Sequence, residues 1–138
     1  YVIEYNVRMG DPETQVVLPR VKNDLGELLL ATAEGRLSQI EIEIDDRSYT
    51  TIVAVSGGYP EGYQKGKEIT GLEKVKGCNV FHAGTTVREK KTFTIGGRVL
   101  AVTSYGEGYK TALKKSYEQI QKINCDGMYF RGDIGFYL

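Results

Sequence analysis

The sequence predicts an α+β fold: a strand and two helices, followed by a small, mainly antiparallel β domain carrying one long helix. Three observations lead there. Short runs of alternating apolar and polar residues recur between glycines, as expected of strands and turns. Two early segments with helical spacing are bracketed by capping residues. A sustained amphipathic stripe then occupies 109–124 near the end of the chain.

The opening run alternates strictly. Ile3, Tyr5 and Val7 share one face of a predicted strand, and Glu4, Asn6 and Arg8 share the other with Val2. Side chains two residues apart on such a face stand roughly 6.5–7 Å apart. A carboxylate and an amide oxygen can thus converge on one hard cation, with a guanidinium just beyond. Mg²⁺ commonly takes one or two protein side chains and fills its shell with water and phosphate. Read alone, the pattern is weak, and a strand with one solvated face is its usual meaning.

Gly10 turns the chain, Asp11 is a favoured N-cap and Pro12 a favoured first helical residue. A helix is expected from Pro12 to about Arg20, ended or kinked at Pro19. Its N-terminus would attract anions, and Arg8 would reinforce that pull. Asp11 and Glu13 oppose it, so they are expected to cap the helix, orient Arg8 or hold a substrate amine. Asn23 or Asp24 then caps a second helix, with Leu25, Leu28, Leu29 and Ala33 at helical spacing and Gly35 as its stop. Both helices read as buried.

Ile40–Ile44 alternates and reads as a strand whose outward Glu41 and Glu43 are solvated. Tyr49–Val55, rich in β-branched residues, is the next strand. The glycine-rich stretch 57–69 contains neither a phosphate loop nor a dinucleotide fingerprint. It is either a surface connection or a segment that brings Lys65 and Lys67 to an anionic substrate. Asn79–Thr85 reads as a strand carrying His82, the sole histidine. With no orienting acid or nucleophile identifiable beside it, His82 is assigned a structural or hydrogen-bonding role. Residues 86–91 form a charged turn, and 92–95 pairs with 98–103 across Gly96-Gly97 as a hairpin. The last helix turns Tyr109, Ala112, Leu113, Tyr117, Ile120 and Ile123 inward.

Composition narrows the classes. At 138 residues, 41% hydrophobic and 26% charged, the chain suits one ordinary globular domain or a domain with an appendage. Its 18 basic and 18 acidic side chains cancel, so neither nucleic acid nor a charged membrane surface is an expected partner. No window is apolar enough for a membrane span, and no signal-peptide pattern is present. Cys78 and Cys125 stand apart, which argues against zinc and for free thiols in a reducing, cytoplasmic setting. The chain begins at Tyr1 without an initiator Met and reads as a piece of a longer polypeptide.

Several motifs resemble one family. Glu4-Tyr5-Asn6-Val7-Arg8-Met9-Gly10-Asp11-Pro12-Glu13 resembles the Glu-Phe-Asn-x-Arg-Phe-Gly-Asp-Pro-Glu signature of the phosphoribosylamine–glycine ligases, which are ATP-grasp enzymes. Tyr5 and Met9 replace Phe, an apolar-for-apolar change. Gly57-Gly58-Tyr59-Pro60, Lys65-Gly66-Lys67-Glu68-Ile69 and Thr70-Gly71-Leu72 are similar to the start of the family's C-terminal domain. Val80-Phe81-His82-Ala83-Gly84-Thr85, Gly97-Arg98-Val99-Leu100-Ala101-Val102-Thr103 and Asp126–Gly135 match later motifs in the right order.

The resemblance implies that 1–45 is the end of an ATP-grasp domain and 46–138 the family's β-rich C-terminal domain. It implies a ligase that joins glycine to 5-phosphoribosylamine through a glycyl phosphate, with ATP as substrate, in purine synthesis. Glu4 and Asn6 carry over as ligands for the Mg²⁺ (or Mn²⁺) bridging the ATP phosphates, and Arg8 as the catalytic cation. Asp11, Glu13, Lys65 and Lys67 are the substrate-binding candidates. The remaining domains of the same polypeptide would supply the rest of the site, so the isolated chain is expected to be inactive. Another ATP-grasp ligase and a non-catalytic β-rich binding module are the alternatives.

Overall fold

The computed structural model describes residues 1–5 and 7–138. Its helices and strands, in chain order, are α1 (Thr14–Val17), α2 (Leu25–Ala33), β1 (Ser48–Val55), β2 (Glu68–Ile69), β3 (Asn79–His82), β4 (Thr85–Arg88), β5 (Lys91–Thr94), β6 (Arg98–Gly106) and α3 (Tyr109–Ile120). Short 3₁₀ turns occupy Leu18–Arg20, Leu37–Gln39 and Leu72–Lys74. The mixed α+β class is the one expected.

Two three-stranded antiparallel sheets form the β domain, in the orders β1-β6-β3 and β2-β5-β4. β6 is the central strand of the first, pairing Ile52 with Val102 on one side and Val80 with Val102 on the other. A central strand has neighbours on both edges and is covered on its faces, which suits the buried run Val99–Ser104. α3 lies across β1 and β6. Its buried face contains Ala112, Ser116, Gln119 and Ile120, and the small Ala112 and Ser116 allow close approach. Ser116 Oγ donates to the Thr50 carbonyl (3.1 Å) and lies 3.0 Å from Thr50 Oγ1. The core gathers Ile52, Ala54, Ile69, Val99, Leu100, Val102, Ile120 and Ile123.

The chain changes sheets twice at one corner. β3 passes into β4 through Ala83-Gly84, and β5 into β6 through Ile95-Gly96-Gly97. Ile95 N donates to the Gly84 carbonyl (2.8 Å), and Gly84 N to the Arg98 carbonyl (2.8 Å). A Cβ on Gly84 would lie 2.6 Å from both the Gly96 Cα and the Arg98 carbonyl oxygen, so this crossing requires glycine.

Gly96-Gly97 is therefore a corner between sheets, which corrects the expected hairpin. Glycines signal a tight turn without specifying whether the strands on either side become neighbours. The true hairpin joins β4 to β5 over Glu89-Lys90, both with positive φ (49° and 64°). These are the primed-turn conformations that match strand twist, here adopted by residues with a Cβ.

Two expected strands are not formed among the described residues. Among the described residues of 1–9 there is no strand, and Ile3, Tyr5 and Val7 are exposed. Alternation shapes a ribbon, but a strand also needs a neighbour for its backbone, and among the described residues none pairs with this segment. Ile40–Ile44 likewise pairs only at the isolated bridge between Val21 and Ile44. There the Asn23 side chain takes the neighbour's place, donating to the Glu41 carbonyl (3.0 Å) and accepting from Glu43 N (2.7 Å).

The helices are also shorter than their patterns. α1 starts at Thr14, not Pro12, and Pro19 falls in a 3₁₀ turn. α2 is capped by Asp24, whose side chain accepts from Glu27 N at 3.0 Å. Gly35, with φ +70°, ends it as expected. The burial reading fails for both helices: α1 buries no residue, and in α2 Leu25, Leu29 and Leu30 are exposed and only Ala31 is fully buried.

The start of β1 is fastened by Asp45. Arg47 donates to both of its carboxylate oxygens (2.5–3.1 Å), Tyr49 Oη to one of them (2.9 Å), and the Arg47 guanidinium stacks 3.9 Å over the Tyr105 ring. The Arg47 hydrogen bonds hold the Asp45 carboxyl far below the usual carboxylate range. A carboxyl depressed by folding stabilises above its unfolded value, about 3.9, and loses that contribution as pH falls toward its folded one. Asp45→Asn should therefore lower the melting temperature at pH 7. Its gap from wild type should hold down to about pH 4 and narrow below it. In the β4–β5 hairpin, replacing Glu89-Lys90 by Asn-Gly should raise stability by about 1 kcal/mol in denaturant titration.

Candidate functional site

The corner between the sheets sets the far wall of an open cleft. Ladder bonds Ala83 N to the Val99 carbonyl (3.0 Å) and Gly84 N to the Arg98 carbonyl place the end of β3 beside the start of β6. His82, Ala83 and Arg98 thereby line one side. Arg8, Met9, Gly10, Asp11, Pro12, Glu13, Thr14 and Gln15 line the other, enclosing about 900 Å³.

The near wall is a turn that satisfies itself. Glu13 Oε2 accepts from Gly10 N (3.1 Å), and Thr14 donates to the Gly10 carbonyl through its backbone N (2.9 Å) and its hydroxyl (2.7 Å). A Cβ on Gly10 would lie 2.5 Å from Glu13 Oε2, so the arrangement depends on glycine there. Asp11 does not cap α1. Its Oδ1 accepts from Gln15 Nε2 (2.9 Å) and its Oδ2 pairs with Arg98 (3.3 Å), while Arg98 Nη1 also donates to the Asp11 carbonyl (3.1 Å). That last contact joins residues 87 apart and ties the turn to the β domain. The buried Gln15 Oε1 has no partner among the described residues.

Of the predicted site residues, Arg8, Asp11 and Glu13 meet in this cleft. Arg8 Nη1 donates to the Met9 carbonyl (3.2 Å). Glu4 is exposed, and the Asn6 expectation lies outside the described residues. Lys65 and Lys67 are not in the cleft. Lys67 is paired with Asp126 (2.6 Å) beside a separate cavity of about 100 Å³, and Lys65 lies 5.9 Å from the Tyr63 ring centroid. His82 does make the hydrogen bond expected of it, 2.9 Å between Nδ1 and Thr85 Oγ1. Sequence reasoning missed that His82, Arg98 and Gln15 are cleft residues. Arg98 was visible as part of a motif, but no spacing links it to Asp11.

The donor set suits a hard divalent cation only in part. Glu4 offers a carboxylate oxygen, yet among the described residues no three His, Cys, Asp or Glu side chains gather as a metal site. Such an ion would need water and substrate phosphate to complete its shell, which is how Mg²⁺ is commonly held. Burial pushes both free thiols, Cys78 and Cys125, up from the ordinary range. No helix among the described residues is long and apolar enough to cross a membrane.

Fold and cleft together define a small two-sheet α+β domain, preceded by a segment that completes the wall of an open cleft. Residues 49–137 match the family model described as "Phosphoribosylglycinamide synthetase, C domain", and the chain belongs to that family. It is 46% identical to a phosphoribosylamine–glycine ligase of Caldanaerobacter subterraneus subsp. tengcongensis, over 96% of this chain and 32% of that protein. It is 48% identical to a bifunctional purine biosynthetic protein of Dictyostelium discoideum, over 97% of this chain and 17% of that one. The crystal structure of a Thermotoga maritima phosphoribosylamine–glycine ligase superposes with a TM-score of 0.73 at 32% identity, covering 96% of this chain and 33% of that one. The chain thus spans about a third or less of the length of these relatives.

The self-capped turn can be tested directly. Gly10→Ala should cost about 1 kcal/mol of local stability by displacing the Glu13 carboxylate, read as faster amide exchange at Thr14. In a Glu13→Ala background the same substitution should be close to neutral.

Proposed function

We propose that this chain is the C-terminal part of an ATP-dependent ligase that joins glycine to 5-phosphoribosylamine in purine synthesis in the cytoplasm. The observation that carries the reading is the cleft, where the Arg8–Gln15 segment faces His82 and Arg98 across a space large enough for a sugar phosphate. Names of relatives matched over nearly the whole chain support it. In this scheme 1–45 belongs to the ATP-grasp domain and 46–138 to the C-terminal domain, and the remaining domains of the polypeptide close the cleft.

The chemistry has two steps. The γ-phosphoryl group of ATP passes to the glycine carboxylate, giving glycyl phosphate and ADP. The amine of phosphoribosylamine then attacks the glycyl carbonyl; a C–N bond forms, the C–O bond to phosphate breaks, and the nitrogen sheds a proton. Arg8 stabilises negative charge on the transferred phosphoryl group and the acyl phosphate. Glu4 and Asn6 would hold the Mg²⁺ or Mn²⁺. When bound, that ion neutralises the ATP phosphates and aligns them for transfer.

Asp11 and Glu13 hold the turn in shape and set a negative edge toward the substrate amine. Gln15 Oε1, a buried acceptor, suits one of the amine's N–H donors. Lys65 and Lys67 would meet an anionic substrate only from the side of the smaller cavity.

In the full-length protein, Arg8→Ala should cut turnover about 10²- to 10³-fold with an unchanged melting temperature. Glu4→Gln and Asn6→Ala should each raise the Mg²⁺ concentration needed for half-maximal rate. Wild-type titrations in both would refute the metal assignment. The 138-residue chain alone should yield no glycyl product under conditions where the full-length protein does.

A further inference from the structure

The geometry points to Arg98 and His82 as a subsite for the phosphate monoester of the sugar-phosphate substrate, with Asp11 as the residue that positions the guanidinium. The inference rests on the ligase reading above and adds to it the place where one end of one substrate is recognised.

The cleft holds two arginines, two carboxylates and one histidine, so formal charge alone does not select an anion. Hydrogen-bonding capacity does. Both carboxylates are already engaged: Asp11 by Gln15 and Arg98, and Glu13 by Gly10 N. Arg98 uses Nη1 for Asp11 and its carbonyl, and among the described residues its Nε and Nη2 have no acceptor. The His82 Nδ1 is taken by the Thr85 hydroxyl, which can donate to it and so leave the proton on Nε2. On the β-domain wall the unused groups are therefore donors, and a ligand end rich in acceptors is their complement. A phosphate monoester is such an end, and a guanidinium presents its donors in a planar fork matched to it.

Position supports the same assignment. Arg98 and His82 sit on β6 and β3, whose ladder and glycine corner fix their backbones. Arg8 lies on the opposite wall, where the ligase reading puts the acyl phosphate. A substrate whose amine must reach that wall and whose phosphate lies a ribose away would span the cleft. Held from one side by Asp11, the guanidinium has fewer rotamers to lose when phosphate arrives on the other.

The test uses the full-length ligase and calorimetric binding of two compounds, the product N-glycyl-5-phosphoribosylamine and its dephosphorylated counterpart. Arg98→Gln should weaken the phosphorylated compound about 10- to 100-fold. The dephosphorylated one should change by less than about twofold, and KM for glycine and ATP should stay near wild type. Arg98→Lys, which keeps the charge but not the fork, should fall between. It serves as the readout should Arg98→Gln not fold. His82→Gln should show the same selectivity with a smaller loss. Equal weakening of both compounds, no weakening of either, or a shift in the glycine or ATP KM instead overturns the subsite while leaving the ligase reading standing. A wild-type protein that makes no glycyl product from phosphoribosylamine overturns both.

Discussion

The approach of Gly84 to Gly96 is the constraint on which the candidate site depends. Two strand-to-strand crossings pass through one corner, and a Cβ on Gly84 would collide with the backbone of the other crossing. Because the corner closes, β3 and β4 lie in different sheets, as do β5 and β6, and the end of β3 abuts the start of β6. His82 and Arg98 become neighbours through that backbone arrangement before any side chain takes part. The core serves the same end: β6 is buried almost throughout, so its first residue is presented at the rim on a rigid strand.

A second constraint joins the two walls. The Gly10–Glu13 turn belongs to a segment with no sheet neighbour among the described residues, yet Arg98 reaches it from across the chain. Asp11 is half exposed, and an exposed ion pair is worth little to global stability. Its effect is local geometry: it sets how the turn and the strand face each other, and so the width of the cleft. The two acids, which the sequence suggested as substrate contacts, spend much of their hydrogen-bonding capacity on this arrangement. What remains open on the β side is a set of donors.

Some elements were legible from residue chemistry. Asp24 caps α2 because its short carboxylate reaches the Glu27 amide, and Gly35 ends the helix because it tolerates positive φ. The β-branched run became β1, and the stripe from Tyr109 became α3, ending at Ile120 where the pattern ran on to 124. These signals lie within a few residues of what they specify. Ile40–Ile44 alternates strictly and is not a strand, since the Asn23 side chain occupies the backbone groups a neighbour would have used.

The sequence by itself determined the α+β class, the caps, most strands of the β domain, the last helix and a set of motifs marking Arg8, Asp11 and Glu13. It also determined the limits on charge and on apolar length, because these are sums over residues. Tertiary structure alone decided that Gly96-Gly97 is a corner and not a hairpin, that Lys67 turns to Asp126, and that Arg98 and His82 face the Gly10–Glu13 turn. The physical reason is common to all three. Which groups meet across 59 or 87 residues depends on how sheets cross and close, and local periodicity carries no record of that.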